Sequence, residues 1–170
     1  LLERSRLASI DHASDVVAIA SQPMKIVFDD GSEHYPDFFA LHASLRQVLY
    51  DVKPLERINE KSLEQFAKTK AMCDRIGWGY SVLTELSPVE RANLDWLRNF
   101  KLPGHHPGAD ALARLLPALP LPLGSAATLL FPTSPAEGRS ALSHLAWTRE
   151  VHIDTTVLLS DATLVEAPHA

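Results

Sequence analysis

His34-Tyr35-Pro36-Asp37-Phe38-Phe39 and Val48-Leu49-Tyr50-Asp51-Val52-Lys53 decide how this chain is read. Aromatic and β-branched residues mark each stretch as a β-strand. Each also carries acid where a buried strand is expected to be apolar. Asp51 and Lys53 lie two residues apart, so they share one face of their strand. If the strands form a hairpin turning about Ser44, Asp37 and Asp51 face one another, with Cβ atoms about 5 Å apart. Carboxylates that close repel unless a cation lies between them. Magnesium suits such a place: it takes oxygen ligands, keeps several waters and often uses only one or two carboxylates. Lys53 would stand beside the cation, where it can polarise an attacking water or neutralise charge building on a phosphate. Pro36 and Pro54 each remove a ladder donor, so the strands are expected to splay there. Glu3, on an amphipathic first helix, is the candidate third acid. The Val52 carbonyl is a candidate further oxygen.

Taken alone, an Asp-x-Lys on a strand is usually a solvent-facing ion pair worth little, and Pro-Asp is a common turn dipeptide. The ordered set of a helix acid, a strand acid and an Asp-x-Lys on the next strand favours a cation site over that reading.

The flanking sequence supplies the frame. A helix is expected over residues 2–10 and strands over 16–19 and 24–28, with Asp30-Gly31 as a hairpin turn. Residues 32–42 and 45–52 continue the sheet. Asn59 caps a helix running to Ile76 and ended by Gly77. A strand over 78–84 and a helix from Pro88 to about Phe100 follow. This order predicts an α/β (α+β) fold, a mixed sheet flanked by helices. Composition then shifts. Residues 1–101 hold four of the 12 prolines and 13 of the 16 Lys and Arg; residues 102–170 hold the rest. Lys101 to Gly108 reads as a linker, dividing the chain into units 1–101 and 102–170. In the second unit, helices are expected over 109–116 and 136–148. Short strands over 150–153 and 155–159, around an Asp154 turn, would complete a small winged-helix-like module.

The chain has 170 residues, with 46% hydrophobic and 22% charged residues, the composition of a globular protein. No apolar run reaches the roughly 20 residues of a membrane helix. No signal peptide is visible at Leu1-Leu2-Glu3-Arg4. The single cysteine, Cys73, excludes an internal disulfide and suits a reducing cytoplasm. A net charge of −5 argues against nucleic-acid coating by bulk attraction and leaves room for a local basic patch.

The ordered residues resemble a family. Leu2-Glu3, Asp15 through Pro23, Tyr35-Pro36-Asp37-Phe38, Tyr50-Asp51-Val52-Lys53-Pro54 and Tyr80 through Glu85 look like the N-terminal domain of TnsA-like transposon endonucleases, of the PD-(D/E)xK nuclease superfamily. The resemblance covers residues 1 to about 100. It implies a restriction-endonuclease-like fold and a Mg²⁺-dependent DNA endonuclease, with Mn²⁺ as a substitute cation. It implies cleavage at the 5′ ends of a transposon, alongside a partner transposase subunit and a regulatory ATPase subunit. Glu3, Asp37 and Lys53 match the family's catalytic acid, acid and lysine; Asp51 falls at its variable metal-site position. The C-terminal region is matched to the family's partner-contact module by element order alone. A homo-oligomer is also open. The alternatives are a phage or restriction-type nuclease acting without a transposase, and a catalytically silent assembly adaptor with the same fold.

Arg57, Lys61, Lys68 and Arg75 fall on one side at helical spacing and are candidate DNA-backbone contacts, although a solvated face is the commoner reading of such a stripe. Leu63, Phe66 and Cys73 are expected on the buried side, and Lys70 is expected to lean toward it. Gln65 reads as surface. A zinc set of His105, His106, His152 and Asp154 lacks ligand spacing. A hydrolase triad through Ser143 and His144 lacks its elbow. Trp78, Trp96 and Trp147 are expected as core anchors.

Overall fold

A computed structural model of the chain describes residues 2–13 and 15–168. It forms two compact units, Leu1–Leu86 and Ser87–Ala170. Among the described residues there are six α-helices and a mixed four-stranded sheet.

In the first unit, helix α1 (Leu2–Asp11) precedes strands β1 (Val16–Ser21), β2 (Ile26–Val27), β3 (Glu33–His34), β4 (Phe38–His42) and β5 (Gln47–Val52). Helix α2 (Glu60–Ile76) and strand β6 (Gly79–Leu83) follow. The main sheet runs β1-β4-β5-β6. β1, β4 and β5 are antiparallel neighbours. β6 lies parallel to β5, which a chain can reach only by a crossover, and α2 is that crossover. The stretch expected to continue the sheet from Ser32 is interrupted. β2 and β3 form a separate ribbon, Ile26 opposite His34, turned by Asp30-Gly31 with Gly31 at φ 79°.

Alternation along β4 and β5 divides the core. Phe38, Ala40, Tyr50 and Val52 pack with Ile10 of α1 on one face. Phe39, Leu49 and Tyr80 pack with Ile26 and Cys73 on the other. Helix α2 begins and ends as its sequence dictates. The Asn59 side chain accepts the Ser62 N–H, and Gly77, at φ 76°, closes the helix in the left-handed region. Its buried face departs from expectation. Ser62, Thr69 and Cys73 are the buried positions, whereas Leu63 is 57% exposed. Lys70 does not lean inward: it is exposed and pairs with Asp74 one turn on.

The second unit contains α3 (Pro88–Leu97), α4 (Ala109–Leu115), α5 (Leu123–Leu130), α6 (Pro135–Thr148) and a ribbon of β7 (Leu121–Pro122) with β8 (Leu164–Val165). The dividing point therefore precedes α3, upstream of the compositional shift at 102. The reason is packing: Leu94 and Leu97 of α3 are buried, and the Asn93 amide donates to the Thr155 and Val157 carbonyls. No strands form over 150–153 or 155–159. Asp154 instead caps a local turn, accepting the Thr156 N–H and hydroxyl, and His152 makes an isolated bridge with Glu166. Helix α5 was not foreseen; its small residues suit a close pairing with α6. Trp96 is 56% exposed, so it is not a core anchor, whereas Trp147 is buried. No described helix is long and apolar enough to cross a membrane.

Candidate functional site

The hairpin register is that expected from a turn about Ser44: Phe38 pairs with Tyr50, Phe39 with Leu49 and Ala40 with Val48. The next position outward brings Asp37 to Asp51. Asp37 leaves the ladder at this point, and its Oδ2 accepts the Val52 N–H at 2.6 Å. Its backbone carbonyl accepts the Gln22 N–H at 2.8 Å, which extends the β1–β4 pairing to the site.

Asp51 is 4% exposed, a placement a carboxylate tolerates only when well hydrogen-bonded. Two donors meet on its Oδ2: His34 Nε2 at 2.9 Å and the Tyr80 hydroxyl. His34 is itself 8% exposed, and its Nδ1 faces the Gln65 amide nitrogen. With Gln65 donating to Nδ1, the His34 proton sits on Nε2 and points at Asp51. Thr69, buried on the same helix face, donates to the Gln65 backbone carbonyl one turn back at 2.9 Å. Burial, together with the Asp51 hydrogen bond, pushes the Tyr80 hydroxyl far above its ordinary pKa. Tyr80 therefore stays protonated as a donor.

Among the described residues, no group bonds to Oδ1 of either Asp37 or Asp51. Burial raises the Asp37 pKa above its ordinary value. The Val52 hydrogen bond opposes the rise, and the negative charges of Asp51 and Glu3 add to it. Glu3 thus acts on Asp37 electrostatically from the first turn of α1, where it is exposed. No three His, Cys, Asp or Glu side chains converge on one point among the described residues. Lys53 follows β5 directly, with its N–H donating to the Leu83 carbonyl at 2.9 Å. Its half-buried side chain makes no hydrogen bond or ion pair among the described residues.

The four basic candidates on and before α2 differ in state. Lys68 is held by Asp30 at 2.5 Å and Glu64 at 2.9 Å. Arg57, in a 3-10 turn at Leu55–Arg57, is exposed, as are Lys61 and Arg75. Arg75 and Lys68 line a cleft of about 380 Å³ together with Asp29 and Asp30, so its walls carry both signs of charge.

Sequence reasoning left His34, Gln65 and Tyr80 without roles. A signal was present for two of them. Gln65, Thr69 and Cys73 recur every four residues and so share a helix face, and Tyr80 alternates with Val82 in a strand. His34 belongs to a ribbon that no periodicity ties to the sheet. Compared with known proteins, the chain matches no family model and no curated protein.

Proposed function

We propose that this chain is a Mg²⁺-dependent DNA endonuclease of the TnsA-like kind, acting at the 5′ ends of a transposon with a partner transposase subunit and a regulatory ATPase subunit. The observation that carries the reading is the pair of acids at the hairpin's open end. Asp37 and Asp51 each have one oxygen engaged by donors and one oxygen without a hydrogen bond. An all-oxygen pair of this kind fits Mg²⁺, which completes its shell with water rather than requiring a third carboxylate. The raised pKa of Asp37 fits as well: burial chiefly lifts it and the charges of Asp51 and Glu3 add to the rise, and a nearby cation opposes both by favouring the ionised form. A bound Mg²⁺ would supply phosphate charge neutralisation and a more acidic water.

The chain's own residues have distinct parts in this reading. Asp37 and Asp51 would hold the cation through the oxygens left without a hydrogen bond, with Glu3 and the Val52 carbonyl as outer or water-mediated oxygens. Lys53 would orient the attacking water or steady the developing phosphate charge. Arg57, Lys61 and Arg75 offer exposed cations to the DNA backbone; Lys68 contributes there only on leaving Asp30 and Glu64. The mixed sheet with α1, the α2 crossover and parallel β6 is read as a restriction-endonuclease-like core. The second unit, which lacks the strands expected over 150–159, is read as a helical partner-contact module, and the cytoplasm as the compartment.

The test combines purified protein, partner transposase, a transposon-end substrate and Mg²⁺. Asp37→Ala and Lys53→Ala should each lower 5′-end cleavage by about 100-fold or more. Wild-type rates in both variants would overturn the reading. Cleavage without any transposase would instead favour a free-standing phage or restriction-type nuclease.

A further inference from the structure

We propose that His34 and Tyr80 are positioning residues that aim Asp51 at its cation, with Gln65 holding His34 in the required tautomer. The inference rests on the cation-site reading above and assigns that site its supporting layer. A carboxylate has two oxygens, and both donors converge on one of them. His34 Nε2 reaches Asp51 Oδ2 at 2.9 Å, and the Tyr80 hydroxyl bonds the same atom. Two donors from different elements fix both the rotation of the carboxylate and which oxygen remains outward. That remaining oxygen, Oδ1, has no partner among the described residues. A lone donor would leave the carboxylate free to exchange its oxygens.

The elements that supply the donors are independently anchored. Tyr80 lies on β6, and its neighbour Leu49 precedes Asp51 by two residues on the same face of β5. His34 ends the β2–β3 ribbon, opposite Ile26. Gln65 comes from α2 and closes the chain Gln65–His34–Asp51–Tyr80. Such buried chains of donors are costly unless fully satisfied. A solvent-facing Asp-x-Lys requires no such chain behind its acid.

Outer hydrogen-bond partners of metal-binding groups typically change affinity by about 10–100-fold when removed. The experiment is a Mn²⁺ titration of the intact chain, read by calorimetry, with a thermal melt in chelator alongside. His34→Ala and Tyr80→Phe should each weaken Mn²⁺ binding by about tenfold or more. His34→Gln should recover most of the loss, because its amide nitrogen can replace Nε2 as donor. Tyr80→Phe removes one hydroxyl and guards against an unfolded His34→Ala. If wild type binds Mn²⁺ and both variants bind within twofold of it, the positioning role is overturned while the cation site stands. A lowered melting temperature with unchanged Mn²⁺ affinity has the same meaning, a structural role only. If wild type itself binds neither Mn²⁺ nor Mg²⁺ at millimolar concentration, the cation-site reading falls and this inference with it.

Discussion

Asp37 shows how much one carboxylate's surroundings decide. Its pKa is raised by burial and by the charges of Asp51 and Glu3, against the Val52 hydrogen bond. The folded chain therefore holds a proton on Asp37 more tightly than the unfolded chain does. Between the ordinary carboxylate pKa and the raised one, the folded state binds more protons, so this contribution to stability falls as pH rises through that window. Asp37→Asn cannot ionise. Without divalent cation it should melt above wild type at neutral pH. The gap should close as the pH drops below the ordinary carboxylate range, where wild type is also neutral. Added Mg²⁺ should narrow it by stabilising wild type alone. Differential scanning calorimetry across pH, with and without Mg²⁺, checks all three outcomes. At this scale the acids were legible in the sequence because strand register follows arithmetic: a hairpin turning at Ser44 must oppose 37 and 51. Asp51's burial and its donors were not, since the donors come from β3 and β6, with α2 behind them holding His34, segments that only folding brings to β5.

Helix α2 and the α5–α6 pair carry the predictions that belong to elements. Asn59 accepts the Ser62 N–H at 3.0 Å, one of the donors that a helix start leaves without a partner. Asn59→Ala should cost about 1 kcal/mol of stability, read as a lower urea midpoint at unchanged slope. Gly138 answers to a different constraint. A Cβ there would lie 2.1 Å from the Ala127 carbonyl oxygen, so α5 and α6 approach backbone to backbone. Gly138→Ala should destabilise by about 1–3 kcal/mol or more, measured by the same titration. Ends of elements were well read from sequence: Asn59, Gly77 and Pro88 act locally, through hydrogen bonds and dihedral limits of their immediate neighbours. Faces were less so. The spacing of Leu63 and Phe66 suggested an apolar stripe, yet the packed face of α2 carries Gln65, which bonds His34, and the buried Thr69. A polar network replaced an apolar one at the candidate site, and hydrophobic periodicity carries no information about such a replacement.

At the scale of the whole molecule, the chain is two units, and the helix between residues 87 and 102 belongs with the second. A fragment of residues 87–170 should therefore melt cooperatively by circular dichroism. A fragment of residues 102–170 should not, because it lacks Leu94, Leu97 and the Asn93 amide that the second core uses. Cooperative melting of both fragments at the same temperature would contradict this division. Composition placed the break later, since proline frequency reports on backbone style and not on which core a helix joins. Likewise, residues 150–159 have strand-like composition but form only the single His152–Glu166 bridge; Leu121–Pro122 pairs with Leu164–Val165 instead, a choice made by long-range contact. What the sequence by itself determined are the local and periodic features: the caps of α2, the Asp30-Gly31 turn, the Ser44-centred register and the acids it opposes. What only the tertiary structure decided is which oxygen of Asp51 is engaged, which face of α2 is buried and where the second core begins. The physical reason is range. Dihedral preferences and strand alternation act over a few residues, whereas a buried carboxylate is satisfied by whatever donors the assembled chain brings within hydrogen-bond distance.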